Sequence, residues 1–308
     1  MNAMEEIERL RIKARNKLLT GIIVGIITGI IIAFFIYISL GVIQGIFAII
    51  FTTTIGYIIS YFASVKDIKA FSDLYKKEIV LKVFNTICTN VSFNLDYGIP
   101  REVIASTEML DMGDSFRSND YITGQYKNIN FAMSDVYITE THTDSDGNSY
   151  TVTIFSGQWF IFDFNKEFKA NIQVCEKNFG AARRNNWFKP KEMKFKKVEL
   201  EDINFNKTFK VYAQQELDAF YVLTPNTMER LMNLNSQIKG SLLFCFIDNK
   251  LHIGLYNNKD LFEASLFKKV NFDEAMQKTL NEISIITNFV DILSLDNDLF
   301  KKKEGGVQ

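Results

Sequence analysis

The sequence predicts an α+β protein: a two-helix transmembrane hairpin, then a cytoplasmic domain of antiparallel β meander and hairpins with packed helices. Three observations predict it. Two long uncharged apolar runs lie near the front, period-two alternation in the middle is grouped into hairpins, and helix-period stripes flank those hairpins. The first run, Leu18–Ile38, carries no ionisable residue and is long enough, at about 1.5 Å per residue, to cross a hydrocarbon core of about 30 Å. The second, Val42–Ala63, follows after only Ser39, Leu40 and Gly41, so the two spans must turn directly back on each other. A cleaved signal peptide fits poorly, because the first run is too long and no small-residue cleavage site precedes the second.

Charge sets the expected orientation. Arg9, Arg11, Lys13, Arg15 and Lys17 precede the hairpin, Lys66, Lys69, Lys76 and Lys77 follow it, and the outer turn has none, which places both termini in the cytoplasm. Residues 1–17 put Ile7, Leu10, Ala14 and Leu18 at helical spacing against a charged face. That pattern fits either a basic amphipathic tail in the headgroup region or a plain extension of the first span. Gly21, Gly25 and Gly29 recur every fourth residue and share one face, where a second backbone can approach closely. Packing within the hairpin and a homo-oligomer across that groove both use such a face. The polar groups in the spans are hydroxyls and Gln44, whereas ion pathways usually need carboxylates, His or Arg, so a monomeric transporter is disfavoured.

The domain expected over residues 64–300 opens with a helical stripe, Ile68, Phe71, Tyr75, Ile79, Val83 and Ile87, and a short helix over Arg101–Leu110 behind Pro100. From Tyr121 to Glu176 alternation takes over (Val136/Ile138, Val152/Ile154, Phe160/Phe162/Phe164), with a turn at Gly147. Phe205–Ala213 reads as a further strand and Gln215–Ile238 as helix interrupted at Pro225. A hairpin then pairs Leu242–Ile247 with Leu251–Tyr256, and Met276, Leu280, Ile283, Ile286, Val290 and Leu293 stripe a last helix. Strands grouped in hairpins, not alternating with helices, give α+β instead of a doubly wound sheet.

Among 308 residues, 35 basic groups nearly balance 36 acidic ones, so no global field draws nucleic acid. Cys88, Cys175 and Cys245 are odd in number and widely spaced, as suits reduced thiols in a cytoplasmic compartment. No Walker A, GxGxxG, HExxH or CxxC pattern supports a cofactor or zinc enzyme, and no catalytic, cofactor-binding or metal-binding residues are assigned. His142, in a polar hairpin end, and His252, opposite in face to Leu251 and Ile253, are expected at the surface or rim. Asp144, Asp146 and Asn148 imitate half a calcium loop, but Phe155 stands where the bidentate Glu belongs, so a tight turn is expected. Between Lys177 and Lys197, Arg183, Arg184, Lys189 and Lys191 accompany Trp187. These are the candidate lipid-binding residues for an anionic inner leaflet, against the plainer reading of a solvated connector.

The segment at 158–169 (QWFIFDFNKEFK) and the pieces KVELED at 197–202, FNKTFKVY at 205–212, LTPNTMERL at 223–231 and IDNKLHI at 247–253 resemble the bacterial family called domain of unknown function 3137 (DUF3137). The resemblance implies a pair of N-terminal spans ahead of the domain in a bacterial protein and no assigned activity; with the cationic flanks, the expected location is the bacterial inner membrane, as a multi-pass protein. Members are often encoded near a small membrane protein of the LemA type, so it also implies a membrane-associated partner. The expected function is a membrane-tethered, non-enzymatic scaffold or binding module with the lipid bilayer as one partner. An oligomeric channel or transport accessory protein and an unrecognised hydrolase are the alternatives.

Overall fold

The computed structural model describes residues 2–163, 171–177, 179, 195–293 and 295. The chain divides into two units, Met1–Val83 with Phe262–Leu280, and Phe84–Leu261 with Asn281–Gln308.

In the first unit, helix α1 (Ala3–Leu40) and helix α2 (Val42–Tyr75) form an antiparallel hairpin, each long and apolar enough to cross a membrane. The one-residue turn needs Gly41, whose φ of 103° strains any side chain. Helix α2 passes through a π-helical segment (Lys76–Val80) into α3 (Leu81–Ile87). The basic residues ahead of Leu18 are thus the first turns of α1 itself. The hairpin packs through glycine. A Cβ on Gly25 would lie 2.7 Å from the Thr52 carbonyl oxygen and 2.8 Å from Thr53 Cα, and one on Gly29 would lie 2.8 Å from Ile49 Cα. Hydroxyls along the two helices bond to backbone: Thr28 Oγ1 donates to Val24 O, Thr54 Oγ1 to Ile50 O, and Ser60 Oγ crosses to Leu18 O at 3.1 Å. The outward side chains are large and apolar, with Phe47 68% and Phe62 72% exposed.

The second unit is built on one antiparallel sheet of nine strands among the described residues: β1 (Thr89–Asn94), β2 (Ser115–Tyr126), β3 (Ile129–Thr143), β4 (Ser149–Asp163), β5 (Ile172–Glu176), β6 (Lys196–Val198), β7 (Phe209–Ala213), β8 (Ser241–Ile247) and β9 (Lys250–Tyr256). Their order is β1-β2-β3-β4-β9-β8-β5-β7-β6. Short helices intervene: α4 (Arg101–Ala105), α5 (Ile203–Thr208), α6 (Glu216–Val222) and α7 (Pro225–Gln237). Helix α8 (Phe272–Leu293) closes the described chain.

Both faces of the central strands are covered. On one, Phe289 of α8 stacks edge-on against Phe160 and Phe162, and Arg230 of α7 donates to the carbonyl of Leu293 at the end of α8. On the other, Ile104, Met109 and Leu110 pack with Trp159, Phe155, Leu243 and Cys245.

The structure corrects four expectations. Strand β1 precedes the predicted β region, and β2 begins six residues ahead of it, at Ser115. Helix α4 ends at Ala105, because Glu108 takes a left-handed φ of 50°. The predicted strand over Phe205–Ala213 is helical to Thr208, because Asp202 caps that turn by accepting from the backbone N–H groups of Asn204 and Phe205. His252 is buried, not at the rim.

Gly254 seats the Trp159 ring: a Cβ there would lie 2.8 Å from Cζ3 and 3.1 Å from Cε3. Gly254→Val is expected to cost about 1–3 kcal/mol by overpacking, read as a lower urea midpoint of the detergent-solubilised protein. An unchanged midpoint would show that the ring has room to move.

Candidate functional site

Beside the apolar part of the hairpin, the first unit folds into a charged collar. The buried stripe of early α1 is Ile7, Arg11, Ala14 and Leu18, so a guanidinium stands among apolar neighbours where helical spacing placed Leu10. A buried Arg requires partners. Its Nε and Nη2 donate to the two Glu8 carboxylate oxygens at 2.8 and 2.6 Å, and its Nη1 donates to the carbonyl of Leu266 at 2.6 Å. Glu8 in turn accepts from the backbone N–H of Val270 at 3.5 Å. The Arg11 hydrogen bond holds the Glu8 carboxyl below its ordinary range and raises the guanidinium further. Nearer the apolar run, Lys13 and Lys17 both reach Asp67 of α2, at 2.8 and 3.1 Å, and their hydrogen bonds lower that carboxyl too.

Residues 262–271 therefore form a strap clipped to α1. At its start, Glu263 pairs with Lys76, the first residue of the π segment, at 2.5 Å, and its carbonyl accepts from Lys278. At its end, Asn271 caps α8, its Oδ1 accepting from the N–H groups of Asp273 and Glu274 at 2.9 and 3.2 Å. A groove of about 270 Å³ follows the strap, lined by Tyr75, Glu263, Lys268, Lys269, Asn271 and Lys278 among others. Phe267, Lys268 and Lys269 are exposed on the strap.

Arg11→Met removes the donor to Leu266 and strips Glu8 of its partner. Losing charge-assisted bonds of about 1.5–3 kcal/mol is expected to speed tryptic cleavage at Lys268 and Lys269 about tenfold or more, measured by limited proteolysis in detergent. An unchanged cleavage rate would mean that the strap is held without Arg11.

The residues singled out by pattern and charge fall elsewhere. Gly21, Gly25 and Gly29 face α2, so the glycine groove is filled within the chain. Arg183, Arg184, Trp187, Lys189 and Lys191 lie outside the described residues. Asp144 folds its turn by accepting from the N–H groups of Asp146 and Asn148 at 3.0 and 2.8 Å. His142 stacks on Tyr150, with ring centroids 5.4 Å apart, and its Nε2 lies 3.3 Å from Glu140.

His252 and Cys245 are direct register partners across β8 and β9, the one place where a histidine meets a thiol among the described residues. Their surroundings oppose activation. Trp159 Nε1–H donates to His252 Nδ1 at 3.2 Å, and burial lowers the imidazole pKa to about 4. Cys245 donates to the Thr107 carbonyl at 3.8 Å, and burial pushes its thiol well up. A thiolate–imidazolium couple needs the reverse shifts, so the two sit as a neutral pair in the core.

The buried Asp135 has its pKa raised, chiefly by burial. It accepts from Gln158 Nε2 at 2.8 Å and from the N–H of Leu261 at 3.2 Å, while Asn257 donates to Gln158 Oε1. This network ties the stretch after β9 to the sheet.

Periodicity and motif spacing do not reveal the collar pairs Arg11–Glu8 and Lys76–Glu263 or the exposed Phe267–Lys269. The Phe-Lys-Lys run followed by an Asn cap is the signal that marks the exposed segment, and the collar pairs carry none.

Residues 153–295 match the family described as Protein of unknown function (DUF3137), in agreement with the resemblance read from the sequence. No curated protein matches the chain. Among solved structures, the crystal structure of the mycobacterial trehalose monomycolate transport factor A, TtfA, is similar with a TM-score of 0.38 and 9% identity, over 73% of this chain and 94% of that chain.

Proposed function

We propose that this chain, its residues 153–295 belonging to the DUF3137 family, is a membrane-tethered, non-enzymatic binding module. It is anchored in a bacterial inner membrane by α1 and α2, with both termini and the sheet domain in the cytoplasm. The observation that carries the reading is the distribution of surface on the hairpin. Its apolar side chains are left open along both helices, while the cations cluster at the end away from Gly41. Apolar surface on that scale is costly in water and is satisfied in lipid, and cations at one end favour the cytoplasmic side. Gly21, Gly25 and Gly29 are already packed on α2, so a homo-oligomer across that face would require the hairpin to open.

For the ligand, α6 presents Leu217, Phe220 and Tyr221 outward at helical spacing, with Leu217 81% exposed. A protein partner is the class that such an apolar helix face accommodates, and a membrane-associated one is what the family resemblance implies.

The test of the anchor is cysteine accessibility in intact cells, since Cys88, Cys175 and Cys245 are all buried. Val42→Cys at the turn should react with an impermeant maleimide added outside, and Tyr150→Cys in the sheet domain only after permeabilisation. Labelling of Tyr150→Cys from outside, or solubility of the protein without detergent, would overturn the reading. For the ligand face, Leu217→Asp with Tyr221→Asp should leave the thermal midpoint unaltered and abolish association with any partner that co-purifies with the unmodified chain. Retention of that partner by the double variant would remove α6 from the argument.

A further inference from the structure

From the collar, we infer that the strap around Phe267 is a second membrane contact, recognising anionic lipid headgroups through Lys268 and Lys269 with Phe267 at the interface. This rests on the reading of α1 and α2 as membrane spans. Three attachment points fix how the strap runs along the helices. Glu263 is held by Lys76, thirteen residues beyond Ala63, or about 20 Å from the apolar run at 1.5 Å per residue. The Leu266 carbonyl is held by Arg11, seven residues before Leu18, or about 10 Å from it. The Val270 N–H is held by Glu8, ten residues before Leu18, or about 15 Å away. The strap therefore rises toward the bilayer and falls back, and Leu266–Phe267 is its crest.

At that crest the side chains are the ones an anionic interface takes. Phe267 is 62% exposed, which leaves its ring open to an apolar boundary. Lys268 and Lys269 follow it, and Phe272, also exposed, begins α8 just beyond. Lys268 pairs with the exposed Glu274, an ion pair of little strength in water that a headgroup phosphate can replace. Ser265 Oγ accepts from the N–H of Phe267 at 3.2 Å and shapes the turn that presents the ring. Lysines within a Debye length of an anionic leaflet are attracted to it. Two anchor points, the hairpin and the strap, would fix the collar against the membrane surface.

The test uses the full chain in lipid nanodiscs of phosphatidylcholine, with and without an equal share of phosphatidylglycerol. Phe267→Cys carries an environment-sensitive fluorophore, with Phe47→Cys in the span as the reference site. The Phe267 label is expected to shift to the blue and to be quenched by lipids bearing a shallow nitroxide, more strongly with phosphatidylglycerol. Lys268→Ala and Lys269→Ala should each weaken that lipid dependence about fivefold. A Phe267 label that stays solvent-like and unquenched while the Phe47 label is quenched by deep nitroxides overturns the inference and leaves the anchor reading standing. Failure of both labels to be quenched overturns both.

Discussion

Replacing Gly25 with leucine is expected to pry the two N-terminal helices apart and to lower the stability of the hairpin by at least about 2 kcal/mol. The added Cβ alone would meet the Thr52 carbonyl oxygen at 2.7 Å and Thr53 Cα at 2.8 Å, both backbone atoms of a regular helix that cannot swing aside as a side-chain tip can. The rest of the leucine would hold α1 and α2 apart along the same face, loosening the contacts at Gly21 and Gly29 and stretching the bond from Ser60 Oγ to Leu18 O. In lipid, where the proposed anchor would lie, no hydrophobic penalty holds separated helices together, so close packing and hydrogen bonds would carry the association. The measurement is the midpoint of unfolding in a graded mixture of mild detergent and dodecyl sulfate. Ile26→Leu, one position along and already open to the outside, is the control and should shift the midpoint by less than about 0.5 kcal/mol. Equal midpoints for Gly25→Leu and the unmodified chain would show that the helices do not depend on this face.

That glycine face is legible in the sequence because every fourth residue is small, but its occupant is not: spacing names a face, never the surface that fills it. The same divide runs through the sheet. Strands β3, β4, β8 and β9 announce themselves by apolar alternation around turns at Gly147 and at Asp248–Asn249, where both turn residues of the second hairpin take positive φ. Strand β2 does not, because its inward residues are Asp120, Ile122 and Gly124, a set with no apolar period. Strand β1 is an edge with only half-buried Val91 and Phe93 to signal it. His252 is misplaced by alternation for a related reason. Alternation assigns a polar residue to the wet face of a two-faced strand, and β9 is covered on both faces, so its polar position is as buried as its apolar ones. The collar is the least legible part. Arg11 holds a main-chain carbonyl of Leu266, and a carbonyl is common to every residue type, so nothing in either local sequence marks the pairing.

The burial of His252 makes the stability of the sheet domain fall in mild acid. Its imidazole titrates at about 4 in the folded protein, against 6.5 for an ordinary histidine, because burial disfavours the charged ring. The acceptor role of Nδ1 toward Trp159 adds a second obstacle, since a proton there would break that bond. Below pH 6.5 the unfolded chain gains a proton at this residue that the folded chain refuses until about pH 4. Stability is therefore complete above pH 6.5 and lost progressively across that window, by as much as about 3 kcal/mol. Asp135 works in the opposite direction. Its raised carboxyl pKa lets the folded state hold a proton that the unfolded chain has released, so its effect weakens the fold as pH rises above the ordinary aspartate value of 3.8. The lowered carboxyls of Glu8 and Asp67 lose their contribution only as pH falls through 4.5 and 3.8, their ordinary values, and below. Between pH 4.5 and 6.5 an acid-induced loss therefore belongs to His252. His252→Asn keeps an acceptor for the Trp159 N–H and removes the titrating ring. Thermal midpoints followed by tryptophan fluorescence from about pH 4.5 to 8 should show the unmodified chain falling progressively behind the variant below 6.5, because the opposing contribution of Asp135 is common to both. Parallel profiles for the two proteins would mean that the histidine accepts its proton in the folded state, which a ring buried against Trp159 with its Nδ1 already engaged has no low-energy way to do.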